Sequence, residues 1–313
     1  MKTKLFPEAE PLRHGWLAVG DGHEIHWQTS GNPEGRPVVW LHGGPGSSAS
    51  PLHRRLFDPA LFWVIQFDQR GCGRSRPAGA IHDNETADLI SDIERLRIHL
   101  GVTTWSVVGG SWGGALALLY AQTHPERIER MLLRSPFLCT WAEIENFMEH
   151  PPEGCLARWQ SLKTLVPDQA GLTILEFGYQ VFCQEQDIQK QAQLAHAWAS
   201  YEAAMNVHPA QASTVGMFDD TALIARYRIQ SHYLFHRCFV EQDILSRPHA
   251  LAQIPLVLVH GTLDALCPFA NSMAIRRAAP HAKLVGVSGA GHDLTDPGML
   301  AATFKEIGIW KFK

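Results

Sequence analysis

The chain has 313 residues, 45% of them apolar and 19% charged, with a formal net charge of −4. That composition excludes disordered and fibrous classes, and the small net charge with no Lys or Arg run excludes an electrostatic footprint for nucleic acid. No uninterrupted apolar stretch reaches membrane-spanning length. The opening Met1-Lys-Thr-Lys-Leu-Phe-Pro has no apolar segment behind its basic residues, so the expected location is the cytoplasm and no membrane partner is expected. Six cysteines (Cys72, Cys139, Cys155, Cys183, Cys238, Cys267) lack C-x-x-C spacing, which argues for reduced thiols and against a zinc site or a disulfide framework.

Alternation within residues 15–30 predicts two antiparallel strands joined at Gly20-Asp21-Gly22. Four short apolar runs follow, at 37–41, 62–67, 105–108 and 131–133, each of the continuous kind found in strands buried on both faces of a parallel sheet. Helical patterns lie between them, at 87–100 and at 112–123, the second ended by His124-Pro125. The same rhythm resumes with a strand at 254–260, a helix at 269–278, a strand at 283–287 and a helix at 294–307. Residues 137–247 interrupt it with Trp, Phe, Tyr, Gln and Glu at helical spacing. The expectation is therefore an α/β core (1–136 and 248–313) with a mostly parallel central sheet and antiparallel N-terminal strands, carrying an inserted helical cap (137–247).

Gly109-Gly110-Ser111-Trp112-Gly113 is a G-x-S-x-G between a predicted strand and a predicted helix, the setting of a nucleophile elbow. So sharp a turn needs small residues two before and two after the serine, and it sets the hydroxyl at a helix N-terminus that favours developing negative charge. His42-Gly43-Gly44-Pro45-Gly46, after an earlier buried strand, is placed to complete an oxyanion hole. Gly44 and Trp112 are the expected N–H donors. A serine needs a base and the base needs an orienting acid. Gly289-Ala-Gly-His292 follows the last strand, which nominates His292, and Asp264 follows the strand before it, so the chain order is Ser, Asp, His. Asp293 is the rival acid, but adjacency in sequence does not aim it at the ring. His42 and His260 end buried strands and are read as structural, and the loop Asp68-Gln-Arg-Gly-Cys-Gly-Arg-Ser75 as support for the site.

Taken together, His42-Gly-Gly-Pro-Gly46, Asp68 to Ser75, Gly109-Gly-Ser-Trp-Gly-Gly114, Tyr120-Ala-Gln-Thr-His-Pro-Glu-Arg127, Val259-His-Gly-Thr-Leu-Asp-Ala-Leu-Cys-Pro268 and Gly289 to His292 resemble the proline iminopeptidases, a family with the α/β-hydrolase fold. The resemblance implies removal of N-terminal proline from small peptides, with cap glutamates pairing with the free ammonium. Trp198-Ala-Ser-Tyr-Glu202 is similar to the family's W-x-x-W-E, which implies an ammonium contact for Glu202. Ile229-Gln-Ser-His-Tyr233 is similar to I-E-x-H-Y and puts Gln230 where a second glutamate would stand, so one negative charge is gone. Phe137 and Cys267 match positions that surround the proline ring, while Leu234 replaces an aromatic. No metal or organic cofactor is implied. Two other readings stay open: a hydrolase of small esters or amides without an ammonium group, and a non-catalytic binding module on the same scaffold.

Overall fold

The computed structural model describes residues 3–168, 171–206 and 219–310. Its eight strands are β1 (Arg13–Gly20), β2 (His23–Gly31), β3 (Arg36–Leu41), β4 (Phe62–Phe67), β5 (Trp105–Gly110), β6 (Ile128–Arg134), β7 (Leu256–Gly261) and β8 (Lys283–Val287). They form one sheet in the order β1-β2-β4-β3-β5-β6-β7-β8. β2 runs antiparallel to both β1 and β4, and every other neighbouring pair is parallel.

Because side chains alternate across a strand, each buried run feeds two apolar layers. Val39, Leu41, Val107, Met131, Leu133 and Leu258 point into one. Val38, Trp40, Val108, Leu132 and Val259 point into the other. Helices α2 (Thr86–His99) and α3 (Trp112–Thr123) contribute Leu89, Ile93, Leu96 and Leu116 to the first layer. Helix α10 (Pro297–Ile309) contributes Met299 and Ile307 to the second, beside Leu56 and Phe57, which follow the short helix α1 (Pro51–Arg54). Covering both faces is what permits the continuous apolar strands.

Between β6 and β7 the described residues hold helices and turns but no strand: α4 (Trp141–Glu149), α5 (Leu156–Lys163), α6 (Ile174–Tyr179), α7 (Ile188–Asn206) and α8 (Asp220–Phe235). Helix α9 (Ala270–Ala278) then joins β7 to β8. Helix α8 lies against the glycine loops of the sheet. A Cβ on Gly46 would stand 2.3 Å from the Arg226 carbonyl oxygen, and one on Gly79 3.1 Å from the Ala225 side chain.

Several boundaries differ from the sequence reading, among them that of β6, which begins at Ile128 rather than 131, and two more in the last part of the chain. β7 begins at Leu256 rather than 254, and α10 begins at Pro297 rather than 294. The second shift has a local cause: Asp296 accepts hydrogen bonds from the backbone N–H groups of Gly298 and Met299 and so caps the helix, with Pro297 as its first residue. Among the described residues no helix is long and apolar enough to cross a membrane.

Candidate active site

The parallel strands present their C-terminal ends along one edge, and the loops that leave them surround a cavity of about 220 Å³. Ser111 sits at the turn from β5 into α3 with φ 57° and ψ −125°, a conformation costly for any residue with a Cβ. The turn closes because a Cβ on Gly109 would stand 2.1 Å from the Gly113 carbonyl, and one on Gly113 2.1 Å from the Leu41 carbonyl, so neither position tolerates a side chain. The Ser111 N–H donates to the Arg134 carbonyl at 2.9 Å, and its own carbonyl accepts from Gly114, Ala115 and Phe137. Held on both sides, the elbow cannot relax.

His292, in the loop after β8, donates from Nδ1 to Oδ2 of Asp264 at 2.8 Å. The other oxygen of Asp264 accepts from the backbone N–H groups of Leu266 and Cys267, at 3.0 and 2.9 Å. Burial alone would raise the Asp264 pKa, but the charge of His292 and hydrogen bonds from His260 and His292 outweigh it, and the carboxyl is held well below its usual range. An ionised Asp264 fixes the proton on Nδ1 and leaves Nε2 with its lone pair toward the cavity, which His292 and Ser111 both line. Asp293 spends its carboxylate on the N–H and hydroxyl of Thr295. No hydrogen bond joins Ser111 to His292 among the described residues. Ser111 Oγ lies 3.9 Å from the Cys267 thiol, and a serine–histidine hydrogen bond often tightens only when substrate binds.

Gly44 lines the cavity at φ 115°, and its neighbour Gly43 packs so close to Ser111 that an added Cβ would be 3.3 Å from the serine Cβ. Trp112 offers its backbone N–H as the first of α3, where no intrahelical acceptor exists. Its indole N–H donates to Gln69 Oε1 at 2.9 Å, and Gln69 donates from Nε2 to the His42 carbonyl and from its backbone N–H to His42 Nε2, both at 3.0 Å. His42 Nδ1 therefore carries the proton and donates to the Gly43 carbonyl. Burial lowers the His42 pKa and keeps this ring neutral. His260 donates to one neighbour and accepts from another, between Ser272 and the Cys267 carbonyl, 3.4 Å from Asp264. Asp68 accepts from the N–H groups of Ala49 and Arg74, tying its loop to the segment after Gly46.

Phe137, Glu202, Gln230, Leu234 and Cys267 line the same cavity. Glu202, on α7, accepts at Oε2 from Arg226 (2.9 Å) and from the Tyr227 hydroxyl (2.7 Å), and at Oε1 from Gln230 (3.2 Å). Arg226 and Tyr227 are absent from the sequence reading, although Arg226, Gln230 and Leu234 stand four residues apart on α8, the spacing of one helical face. Arg134 is a second omission: it ends the buried strand β6, lines the cavity and donates to the His292 carbonyl. An Arg closing an apolar run was the available signal.

Residues 36–297 match the family described as alpha/beta hydrolase fold. The chain is 36% identical to the proline iminopeptidase of Arabidopsis thaliana, over 96% of its own length and 80% of that protein's. It is 38% identical to a probable proline iminopeptidase of Leptolyngbya boryana, over 96% and 94% of the two chains. Among solved structures it resembles an alpha/beta fold family hydrolase from Bacillus anthracis, with a TM-score of 0.61 at 16% identity, covering 96% of this chain and 99% of that one. A likeness at that identity concerns the fold, whereas the similarity to the iminopeptidases holds at 36 to 38% identity over 96% of the chain: the chain belongs to the proline iminopeptidases of the alpha/beta hydrolase fold.

Proposed function

We propose that the chain is a serine aminopeptidase that releases N-terminal proline from small peptides through an acyl-enzyme, acting in the cytoplasm without a metal or organic cofactor. The observation that carries this reading is the 2.8 Å bond from His292 to an ionised Asp264 beside a cavity that also holds the strained Ser111. In this reading Ser111 Oγ attacks the carbonyl carbon of the first residue while Nε2 of His292 takes its proton. Asp264 stabilises the imidazolium that results. The oxyanion accepts from the backbone N–H groups of Gly44 and Trp112, donors of a kind whose stabilisation needs no reorganisation at the moment of reaction. His292 then delivers its proton to the departing amine, the C–N bond breaks, and water repeats the sequence on the acyl-Ser111 ester.

Phe137 and Cys267 form the apolar wall for the ring, and Glu202 with Gln230 receive the substrate amine. The relatives named proline iminopeptidase support the substrate class. Turnover of prolyl anilide beside a panel of other aminoacyl anilides and simple esters tests it. Release from prolyl anilide, lost in Ser111→Ala, is expected. Brisk cleavage of uncharged esters with no cleavage of any substrate bearing a free amine would overturn the aminopeptidase reading in favour of an esterase. The same Ser111→Ala protein should lose labelling by a fluorophosphonate, and an unlabelled wild-type chain would indicate a binding module.

A further inference from the structure

The end of the cavity walled by α7 and α8 contains a carboxylate that is already paired. Arg226 and Tyr227 share Oε2 of Glu202, and Gln230 Nε2 takes Oε1. Because the carboxylate can only accept, it forces the Gln230 amide to turn its NH₂ inward, and Gln230 Oε1 is left buried without a partner among the described residues. Among the described residues, four that ordinarily carry charge line the cavity, Arg134, Glu143, Glu202 and Arg226, and their formal charges sum to zero. Glu143 is spent on the chain itself, accepting from the N–H groups of Leu138 and Thr140, the Thr140 hydroxyl and Asn271. Any cation that reaches Glu202 therefore meets the guanidinium of Arg226 at a similar distance. Attraction and repulsion then nearly cancel, since both scale with the same charge, distance and dielectric.

We propose that Arg226 is a specificity-determining residue that makes this end of the cavity charge-neutral, so that the chain accepts five-membered acyl rings carrying an uncharged hydrogen-bonding atom in place of the ammonium. This deepens the reading of Ser111 as an acyl-transfer nucleophile and rests on it. The wall meets such a ring with donors, on Arg226 and Gln230, so recognition runs through hydrogen bonds and shape. A lone carboxylate would instead prefer a cation about 10- to 150-fold, the advantage of a charge-assisted hydrogen bond.

The test compares prolyl 4-nitroanilide with its oxygen isostere, tetrahydrofuran-2-carbonyl 4-nitroanilide, at pH 7, where the proline amine is protonated. For the wild-type chain kcat/KM for the two should differ by less than about tenfold. Arg226→Met should move the ratio toward the prolyl substrate by about tenfold or more, chiefly through KM. Gln230→Glu, which adds a charge and leaves Arg226 in place, should move it the same way and guards against a folding defect in the first variant. A wild-type preference for the prolyl substrate above about 100-fold that neither variant increases would overturn the proposal. So would cleavage of neither substrate by a chain whose Ser111 reacts with a fluorophosphonate. If Ser111 does not react at all, the hydrolase reading is what fails.

Discussion

Oδ2 of Asp264 accepts from Nδ1 of His292 at 2.8 Å while its Oδ1 is pinned by two backbone N–H groups, so the carboxylate cannot rotate away from the ring. Asp264→Asn keeps this shape but removes the charge and lets the amide donate to Nδ1, which puts the imidazole proton on the wrong nitrogen. A fall in kcat of about three to four orders of magnitude with little change in KM is expected, read from steady-state kinetics on prolyl anilide. A loss of less than tenfold would separate Asp264 from the chemistry.

Ser111 is held at φ 57° by contacts on both sides of the elbow. Glycine adopts that conformation freely and alanine does not. Ser111→Gly should therefore be more stable than Ser111→Ala by about 1 kcal/mol, after the strain relieved is set against the extra chain entropy of glycine, with activity lost in both. Urea unfolding of the two proteins decides it, and equal midpoints would mean the turn stores no strain.

Gln69 joins the indole of Trp112 to the backbone and ring of His42, so it spans the two halves of the proposed oxyanion hole. Gln69→Leu leaves a buried indole N–H and a buried carbonyl without partners. The expected cost is about 2 to 4 kcal/mol of stability, together with a reduced kcat as the loop at Gly43 and Gly44 loosens. A variant with wild-type kcat would show that the loop holds its shape by packing alone.

His53 stacks on Trp40, ring centroids 4.3 Å apart, and burial, reinforced by the nearby charge of Arg134, pushes its pKa down to about 3. Between pH 6.5 and 3 the unfolded chain binds a proton at this ring that the folded chain refuses. Stability therefore falls as pH falls, at up to about 1.4 kcal/mol per pH unit from this group, and its full contribution is present above pH 6.5. Melting temperatures from pH 7 to pH 5, a window above the titration of carboxylates, should fall more steeply for the wild type than for His53→Gln. Parallel slopes would sink the assignment.

Gly46 combines φ 90° with a Cβ direction that points at the Arg226 carbonyl, 2.3 Å away. Gly46→Ala should destabilise the protein by about 2 kcal/mol or more and raise KM, because the clash displaces the stretch of α8 that carries Arg226 and Gln230. Denaturant unfolding and steady-state kinetics on the same preparation check both. An unchanged KM would mean α8 docks elsewhere.

Much of the sheet was legible because its signals are local. Val38 to Leu41 and Val107 to Val108 are apolar on both faces, as only a covered parallel strand can be, and Gly109 and Gly113 flank Ser111 because the turn has no room for a Cβ. The start of α10 was misplaced by three residues, since an apolar pattern beginning at Leu294 outweighed the capping Asp296 that precedes Pro297. The partners of Glu202 were invisible for a different reason. Arg226 and Tyr227 lie 24 and 25 residues away on another helix, and nothing in either segment encodes which helices meet.

From its residue order alone this protein declares an alternating α/β core, a serine at a glycine-flanked elbow, and a histidine and an aspartate in the loops after the last two strands. Those features depend on periodicity and steric room within a few neighbouring residues. Only the folded chain determined that Gln69 bridges Trp112 to His42 and that Arg226 pairs with Glu202. Each of these is a contact between distant segments, set by how helices and loops pack over the sheet, and packing distance is not written in the order of residues along the chain.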